Sequence, residues 1–117
     1  MSKKEIDWSN IGFGYVQTDK RYVSNYKDGK WDEGTLTEDP NVVINECAGI
    51  LQYCQECFEG LKAYTTEDGS IVTFRPDLNA ERMMDSCARL EMPQFPKERF
   101  MEALDKVVKA NEAWVPP

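Results

Sequence analysis

The chain has 117 residues, the size of one domain, with 21 acidic and 14 basic residues, no histidine and a formal net charge of −7. This acidic balance argues against binding to a nucleic acid backbone, which requires a basic face. The sequence has no apolar run of the length that spans a membrane, and its start, MSKKEIDWSN, lacks the apolar segment of a secretory signal. We therefore expect a cytoplasmic globular protein without nucleic acid or membrane partners.

The first half of the chain predicts short strands. Segment Gly12–Asp19 fits either a strand or a tight loop. The next segment, 20–36 (KRYVSNYKDGKWDEGTL), predicts a hairpin, because Asp28-Gly29 is a dipeptide that accepts the positive φ of a two-residue turn. Its strand-forming side chains are Tyr22, Val23 and Tyr26.

The middle of the chain is less clear. Apolar residues within 47–58 recur at helical spacing, which is compatible with a short helix that Gly60 would end. A second hairpin is predicted over 61–74, where LKAYTT and SIVTF flank a turn that contains Gly69.

Two amphipathic helices are predicted in the second half. Pro76 opens the first at a position where its missing N–H costs least. The apolar stripe of this helix consists of Leu78, Met83, Cys87 and Leu90, with Ala80, Met84 and Ala88 beside it. The second helix, 97–113, carries Phe100, Met101, Leu104, Val107 and Val108 on one face. Strands followed by two helices predict an α+β domain of two layers, with an antiparallel sheet packed against two main helices.

The octapeptide YCQECFEG (53–60) contains a C-x-x-C, a spacing found in zinc and redox sites. Without histidine, a zinc site would need all four cysteines, spaced C-x6-C-x2-C-x29-C, and only one pair is close. Glu56, between the two cysteines, disfavours an activated thiolate. We expect no metal site, and we expect Cys54 and Cys57 to be reduced and buried on one face of a short helix. A non-enzymatic binding or redox module remains an alternative.

Acid–base chemistry without histidine would fall to carboxylates, Lys, Tyr or Cys, and these are scattered along the chain, so the residues alone define no complete catalytic set. Arg82 lies beside the apolar Met83-Met84 pair on the first long helix. Its stem could cover the core while its head stays in water, or its guanidinium could bind a fixed anion such as a phosphate. The pattern leaves both interpretations open.

Several consecutive segments together resemble one family. LQYCQECFEGLKAY, DGSIVTFRPDLNAERM, SCARLEMP and VVKANEAWVPP follow the order and spacing of the N-terminal small domain of branched-chain amino acid aminotransferases, which are fold-type IV pyridoxal-phosphate enzymes. The upstream GFGYVQTDKRYVSNYKDGKWDEG fits the larger-type members of the family. The resemblance implies a small domain over 11–117 and a flexible arm over 1–10, with the larger catalytic domain absent.

The resemblance also implies a cofactor, pyridoxal 5'-phosphate, and roles for four residues. Arg82 matches the arginine that anchors the cofactor phosphate, whereas Tyr53, Phe58 and Phe13 match aromatics that line the substrate side-chain pocket. Such a pocket suits Leu, Ile and Val, since burying apolar surface is favourable by about 25 cal/mol per Å². No catalytic residue is assigned, because the Schiff-base lysine of the family comes after the point where this chain ends.

The function implied is transfer of the amino group of Leu, Ile or Val to 2-oxoglutarate, with a homodimer as the complete enzyme. We expect these 117 residues alone to be inactive and to self-associate. The sequence departs from the family at Leu51–Cys54, where LHYG is frequent, and at Asn45–Ala48, where H-x-A is frequent. These departures leave substrate specificity open, so a D-amino acid aminotransferase or an aminodeoxychorismate lyase of the same fold is the alternative within the enzyme class.

Overall fold

The computed structural model describes residues 2–117. Its strands are β1 (Arg21–Val23), β2 (Tyr26–Lys27), β3 (Lys30–Trp31), β4 (Thr35–Thr37), β5 (Ala63–Thr65) and β6 (Ile71–Thr73). Its helices are α1 (Gly49–Tyr53), α2 (Pro76–Arg89) and α3 (Lys97–Ala110), followed by a short 3-10 helix, Glu112–Trp114. The predicted α+β class is confirmed, with antiparallel strand pairs and two long helices in contact. The strands form three separate two-stranded sheets, β1–β4, β2–β3 and β5–β6.

The first hairpin contains two nested strand pairs. Asp28 and Gly29 have φ angles of 52° and 81° and form the predicted two-residue turn between β2 and β3. Outside this turn, β1 pairs with β4 and Tyr22 lies opposite Leu36. The sequence therefore identified both the hairpin and its turn.

The carboxylate of Asp32 joins the inner and outer strand pairs. Its Oδ1 accepts hydrogen bonds from the Ser24 hydroxyl at 2.9 Å, the Asn25 backbone N–H at 3.1 Å and the Gly34 backbone N–H at 2.9 Å. Bonds from Asn25, which favour the charged form, are the main reason that the pKa of Asp32 lies below its usual value. A single side chain thus fixes the chain where the strand ladder is interrupted.

Trp31 attaches this hairpin to the loop between α2 and α3. Its ring packs edge-on against Tyr26 and Phe95, with centroids 5.2 and 5.0 Å apart. The indole N–H also donates a hydrogen bond to the Gln94 carbonyl at 2.9 Å. Because the Gln94 side chain donates in turn to the Met84 carbonyl at 3.0 Å, the aromatic cluster is tied to α2.

The helix α2 begins at Pro76, as predicted, but it buries a narrower stripe than its sequence suggested. Ala80 and Cys87 are buried and the two methionines between them are half-buried. The remaining predicted members of the stripe are exposed, and these are Leu78, Ala88 and Leu90. A chain of this size covers only part of each helix, so apolar positions near the helix ends stay in contact with water.

The helix α3 is shorter than the predicted 97–113, because it ends at Ala110 and the chain continues as the 3-10 helix. All five residues of its predicted apolar face are half-buried, namely Phe100, Met101, Leu104, Val107 and Val108. The C-terminal residues that follow contact both the N-terminal segment and β5. Lys4 N–H donates to the Ala113 carbonyl at 2.8 Å, and Thr65 N–H donates to the Pro116 carbonyl at 2.7 Å. The predicted flexibility of residues 1–10 stays a prediction.

The expected helix over 47–58 was largely wrong. The helix α1 covers only Gly49–Tyr53, and it stops at Cys54, which has the left-handed φ and ψ of 52° and 33°. Cys54 is therefore exposed, and Cys57 is half-buried in irregular chain, so the two do not share a buried helix face. Helical spacing in the sequence did not reveal the left-handed residue that separates them.

Candidate functional site

The candidate cluster around Arg82 consists of one residue from the middle segment and two from α2. Arg82 donates from Nε to Glu59 Oε1 at 2.5 Å and from Nη2 to Glu59 Oε2 at 2.7 Å. Asn79 Nδ2 donates to Glu59 Oε2 at 2.8 Å and to the Gly60 carbonyl at 3.0 Å. Asn79 and Arg82 share a face of α2 because three residues along a helix is almost one turn. Both therefore bind the same carboxylate.

Burial within this cluster is unequal. The Glu59 side chain is only 6% exposed, whereas the Arg82 side chain is 65% exposed. The hydrogen bond from Arg82, followed by that from Asn79, holds the pKa of Glu59 below its usual value, and the same bond raises the pKa of Arg82. The side chain of Glu59 is thus almost fully covered although the residue as a whole is half-buried, and its carboxylate stays ionised because it is paired and hydrogen-bonded.

The head of Arg82 retains donors for a ligand. A guanidinium carries five N–H groups, and the two bonds to Glu59 use one on Nε and one on Nη2. Hydrogen bonds within residues 2–117 leave Nη1 free, on a side chain that is mostly exposed to solvent. Glu59 therefore fixes the plane of the guanidinium while its outer edge can bind an anion bidentately.

A groove of about 660 Å³ lies beside this cluster, on the outer face of the β5–β6 hairpin. This volume falls within the range of small-molecule sites. Tyr64 and Val72 face each other across the hairpin and contribute to its wall. The lining residues are Gly60, Leu61, Lys62, Tyr64, Val72, Thr73, Phe74 and Asn79. Asn79 belongs to both the groove and the cluster, and Gly60, whose carbonyl accepts from Asn79, also lines the groove. The groove therefore opens next to the Glu59 carboxylate.

The aromatic residues predicted for the substrate pocket lie on the surface. Tyr53 is 86% exposed at the end of α1, and Phe58 is 89% exposed next to Glu59. Phe13 is fully exposed in the irregular segment before β1. The ion pair of Glu59 brings the segment with Phe58 onto α2, which carries Arg82. The role of Arg82 toward a cofactor, and those of the three aromatics toward a substrate, stay predictions.

Sequence reasoning missed Glu59. The residue lies 23 positions from Arg82, and no local spacing indicates that a carboxylate in this irregular segment will be covered by a helix. The one available signal was on α2, where Asn79 and Arg82 place two hydrogen-bond donors on one helix face. Such a pair indicates an acceptor on a neighbouring segment without saying which one.

Other site classes receive no support from the described part of the chain. Among residues 2–117, no group of three or more Cys, Asp or Glu side chains is arranged to hold a metal ion, and the four cysteines are free thiols. In the same stretch, no helix combines the length and apolar character needed to cross a membrane.

No protein-family model matches the chain. Among curated proteins, it is 54% identical over 114 residues to a branched-chain-amino-acid aminotransferase of Haemophilus influenzae, an alignment that covers 97% of this chain and 33% of that protein. It is 43% identical over 114 residues to the enzyme of the same name from Helicobacter pylori, covering 97% and 34%. It is 41% identical over 113 residues to a methionine aminotransferase of Arabidopsis thaliana, covering 96% and 32%.

Identity at this level along nearly the whole chain shows that it is homologous to part of known aminotransferases. Within that class, the chain is homologous to the branched-chain-amino-acid aminotransferases, which confirms the resemblance found in the sequence motifs. The chain spans about one third of the length of these relatives.

Proposed function

We propose that the chain is the small-domain portion of a branched-chain amino acid transaminase that depends on pyridoxal 5'-phosphate. The complete enzyme would transfer the amino group of Leu, Ile or Val to 2-oxoglutarate and would act as a cytoplasmic homodimer. The observation that carries this proposal is the 54% identity over 114 residues to an aminotransferase named for these substrates. In this proposal residues 11–117 form the small domain and residues 1–10 an arm.

The cluster around Arg82 fits the phosphate of the proposed cofactor. Arg82 would bind the phosphate through the donors that Glu59 leaves free, and Glu59 would hold the guanidinium in one orientation. Asn79 supports this arrangement by donating to the same carboxylate, so the buried charge of Glu59 does not depend on Arg82 alone. Pyridoxal phosphate, when bound, supplies the electron sink for chemistry at the Cα of the amino acid.

Tyr53, Phe58 and Phe13 would bind the aliphatic side chain of the substrate. Their large exposure in this chain leaves their apolar surface available to a substrate and to the rest of the enzyme. Burying that surface would favour Leu, Ile and Val over polar amino acids, since each buried methylene contributes about 0.8 kcal/mol. These residues would thus determine specificity and leave the proton transfers to other groups.

The relatives are about three times as long as this chain, which covers 33% and 34% of two of them. We place the lysine that bonds to the cofactor in the remaining part of such an enzyme. The 117 residues alone are then inactive, and their exposed apolar side chains favour self-association. A purified 117-residue chain that converted leucine and 2-oxoglutarate to products would contradict this division of roles.

The test uses the complete natural polypeptide that contains this sequence. We expect it to transaminate Leu, Ile and Val and to bind pyridoxal phosphate, measured by the absorbance of the bound cofactor. Arg82→Ala should weaken cofactor binding about 10- to 100-fold, since a hydrogen bond to a charged group contributes about 1.5–3 kcal/mol.

Arg89→Ala is the matched control, because Arg89 is an exposed arginine in the last turn of the same helix. Its cofactor affinity should equal that of the wild type. If the Arg82→Ala enzyme bound the cofactor as tightly as the wild type, the proposed role of Arg82 would be disproved, but the proposed reaction would not. Failure to transaminate any of the three amino acids would disprove the proposed function.

Methionine is a second candidate substrate, because one relative that is 41% identical is named a methionine aminotransferase. Its unbranched apolar side chain would suit the same aromatic residues. Comparing kcat/KM for Leu, Ile, Val and Met ranks these candidates, and a D-alanine assay distinguishes them from a D-amino acid aminotransferase. Higher kcat/KM for D-alanine than for leucine would favour that alternative.

A further inference from the structure

Two cysteines that are far apart in the sequence meet in the fold. Cys57 Sγ lies 3.6 Å from Cys87 Sγ, although 30 positions separate the residues. Cys87 is buried on α2, whereas Cys57 is half-buried in the irregular segment between α1 and β5. The second cysteine of the C-x-x-C is therefore in contact with a thiol outside that motif.

We propose that Cys57 and Cys87 form a modification site, where reaction with a low-molecular-weight disulfide such as glutathione disulfide produces an intrachain disulfide. The sulfurs of a disulfide lie about 2.05 Å apart, so the two sulfurs must approach by about 1.5 Å. Cys57 belongs to neither a helix nor a strand, and its segment can supply this small movement without breaking an element. This inference does not depend on the proposed function.

The exchange proceeds in two balanced steps. The thiolate of Cys57 attacks one sulfur of glutathione disulfide, which forms a mixed disulfide and releases one glutathione thiolate. The thiolate of Cys87 then attacks Cys57 Sγ and releases the second glutathione. The two protons lost by the cysteines pass to the two glutathione thiolates. In sum, two protein thiols are oxidised to one disulfide, and one glutathione disulfide is reduced to two thiols.

Burial assigns the two cysteines to different steps. Cys57 is the more accessible thiol of the pair and would meet the external disulfide first. Burial, together with the contact from Cys57, raises the pKa of Cys87 to about 11. Cys87 is therefore a poor first nucleophile, but its position next to Cys57 suits it to the second, intramolecular step.

The bond would lie beside the Arg82 cluster. It would join the segment that contains Phe58 and Glu59 to α2, and these are the same two parts of the chain that the Glu59–Arg82 ion pair connects. Oxidation would hold the Glu59 segment against α2 covalently, whereas reduction would leave that attachment to hydrogen bonds.

The test uses the chain with Cys47→Ser and Cys54→Ser, because both of these cysteines are exposed and would otherwise react with glutathione disulfide. The product is measured by intact mass and by thiol titration after removal of excess glutathione. We expect both remaining thiols to be lost, with a mass decrease of two hydrogen atoms and no retained glutathione. Peptide mapping should recover a Cys57–Cys87 cross-linked peptide, and dithiothreitol should restore both thiols.

Two further variants in this background keep the result interpretable. Cys87→Ala retains a small apolar side chain in the buried position and should stop the reaction at a glutathione adduct on Cys57. Cys57→Ser should leave Cys87 unmodified in the folded chain. A stable glutathione adduct on Cys57 with Cys87 present, or a Cys54–Cys57 disulfide as the main product of the wild-type chain, would overturn the proposal.

Discussion

The first hairpin, 20–37, and the middle segment, 42–60, are both rich in aromatic and β-branched residues, but the chain treats them differently. In the hairpin, Trp31 packs between Tyr26 and Phe95 and donates a hydrogen bond to the Gln94 carbonyl, which attaches the paired strands to the loop after α2. In the middle segment, Tyr53 and Phe58 are exposed. Aromatic side chains thus have two uses: those of the hairpin pack against one another and against Phe95, whereas those of the middle segment remain available on the surface.

The sharpest test of this contrast compares Trp31→Ala with Phe58→Ala. We expect Trp31→Ala to lower the free energy of unfolding by about 2–3 kcal/mol, since it removes a large, partly buried ring and a hydrogen bond. Phe58→Ala should change the free energy of unfolding by less than about 0.5 kcal/mol, because the Phe58 ring is almost fully exposed. Urea unfolding followed by circular dichroism measures both. Equal losses would mean that the middle segment stabilises the fold as much as the hairpin does.

A smaller effect is expected from glycines with positive φ. Gly69 has a φ of 85° in the β5–β6 turn, and Gly12 has a φ of 55° in the open segment before β1. Gly69→Ala should destabilise the chain by about 1 kcal/mol, because an alanine is strained at this φ and the paired strands prevent relaxation. Gly12→Ala should cost less, since its segment can change conformation. Thermal unfolding of the two variants compares them, and a larger loss from Gly12→Ala would contradict this expectation.

Cys54 offers a test within the middle segment itself. Its left-handed conformation ends α1 at a position where the family often has glycine. We expect Cys54→Gly to stabilise the chain by about 0.5 kcal/mol, because relief of the strain exceeds the added entropy of the unfolded chain. Cys47→Gly, at an exposed position before the helix, is the control and should not stabilise. A destabilised Cys54→Gly chain would show that the left-handed residue is not strained.

The smallest predicted effect depends on pH. The hydrogen bonds from Arg75 are the main reason that the pKa of Asp77 falls from 3.8 to about 2. Because this folded-state pKa is depressed, the stabilisation is fully present above the unfolded value and is lost as the pH falls from about 4 to about 2. Arg75 is more than half exposed, so solvent screening keeps the effect small.

Urea unfolding of Asp77→Asn at several pH values measures the stabilisation that the ionised Asp77 contributes. The variant should be slightly less stable than the wild type near neutral pH, and the difference should vanish by about pH 2. Asp85→Asn, which replaces an exposed carboxylate on the same helix, is the matched control and should show a smaller difference. A deficit of Asp77→Asn that persisted at pH 2 would assign its effect to something other than charge.

Local signals in the sequence predicted most of the fold. Asp28-Gly29, Gly69 and Pro76 each mark a boundary through backbone geometry that acts within a few residues, and all three boundaries are confirmed. The helical spacing over 47–58 failed because one left-handed residue, Cys54, redirects the chain without changing the apolar pattern. Local patterns therefore predict elements well where no residue with an unexpected backbone conformation intervenes.

The candidate site was less predictable, because its parts come from distant positions. Arg82 could be named from the motif that surrounds it, but its partner Glu59 depends on how the middle segment docks onto α2. The contact between Cys57 and Cys87 has the same origin. Interactions of this kind follow from tertiary packing, which neither periodicity nor residue spacing encodes.

The contacts between Lys4 and Ala113, and between Thr65 and Pro116, have a consequence for the connectivity of the domain. They hold Lys4 and the segment 113–116 on one side of the fold, so a short linker could close residues 2–117 into a ring. New ends could then be opened at the exposed Asp68-Gly69 turn without separating Arg82 from Glu59. The arrangement that holds the guanidinium is thus a property of the packed shape and would survive a change in the order of the chain.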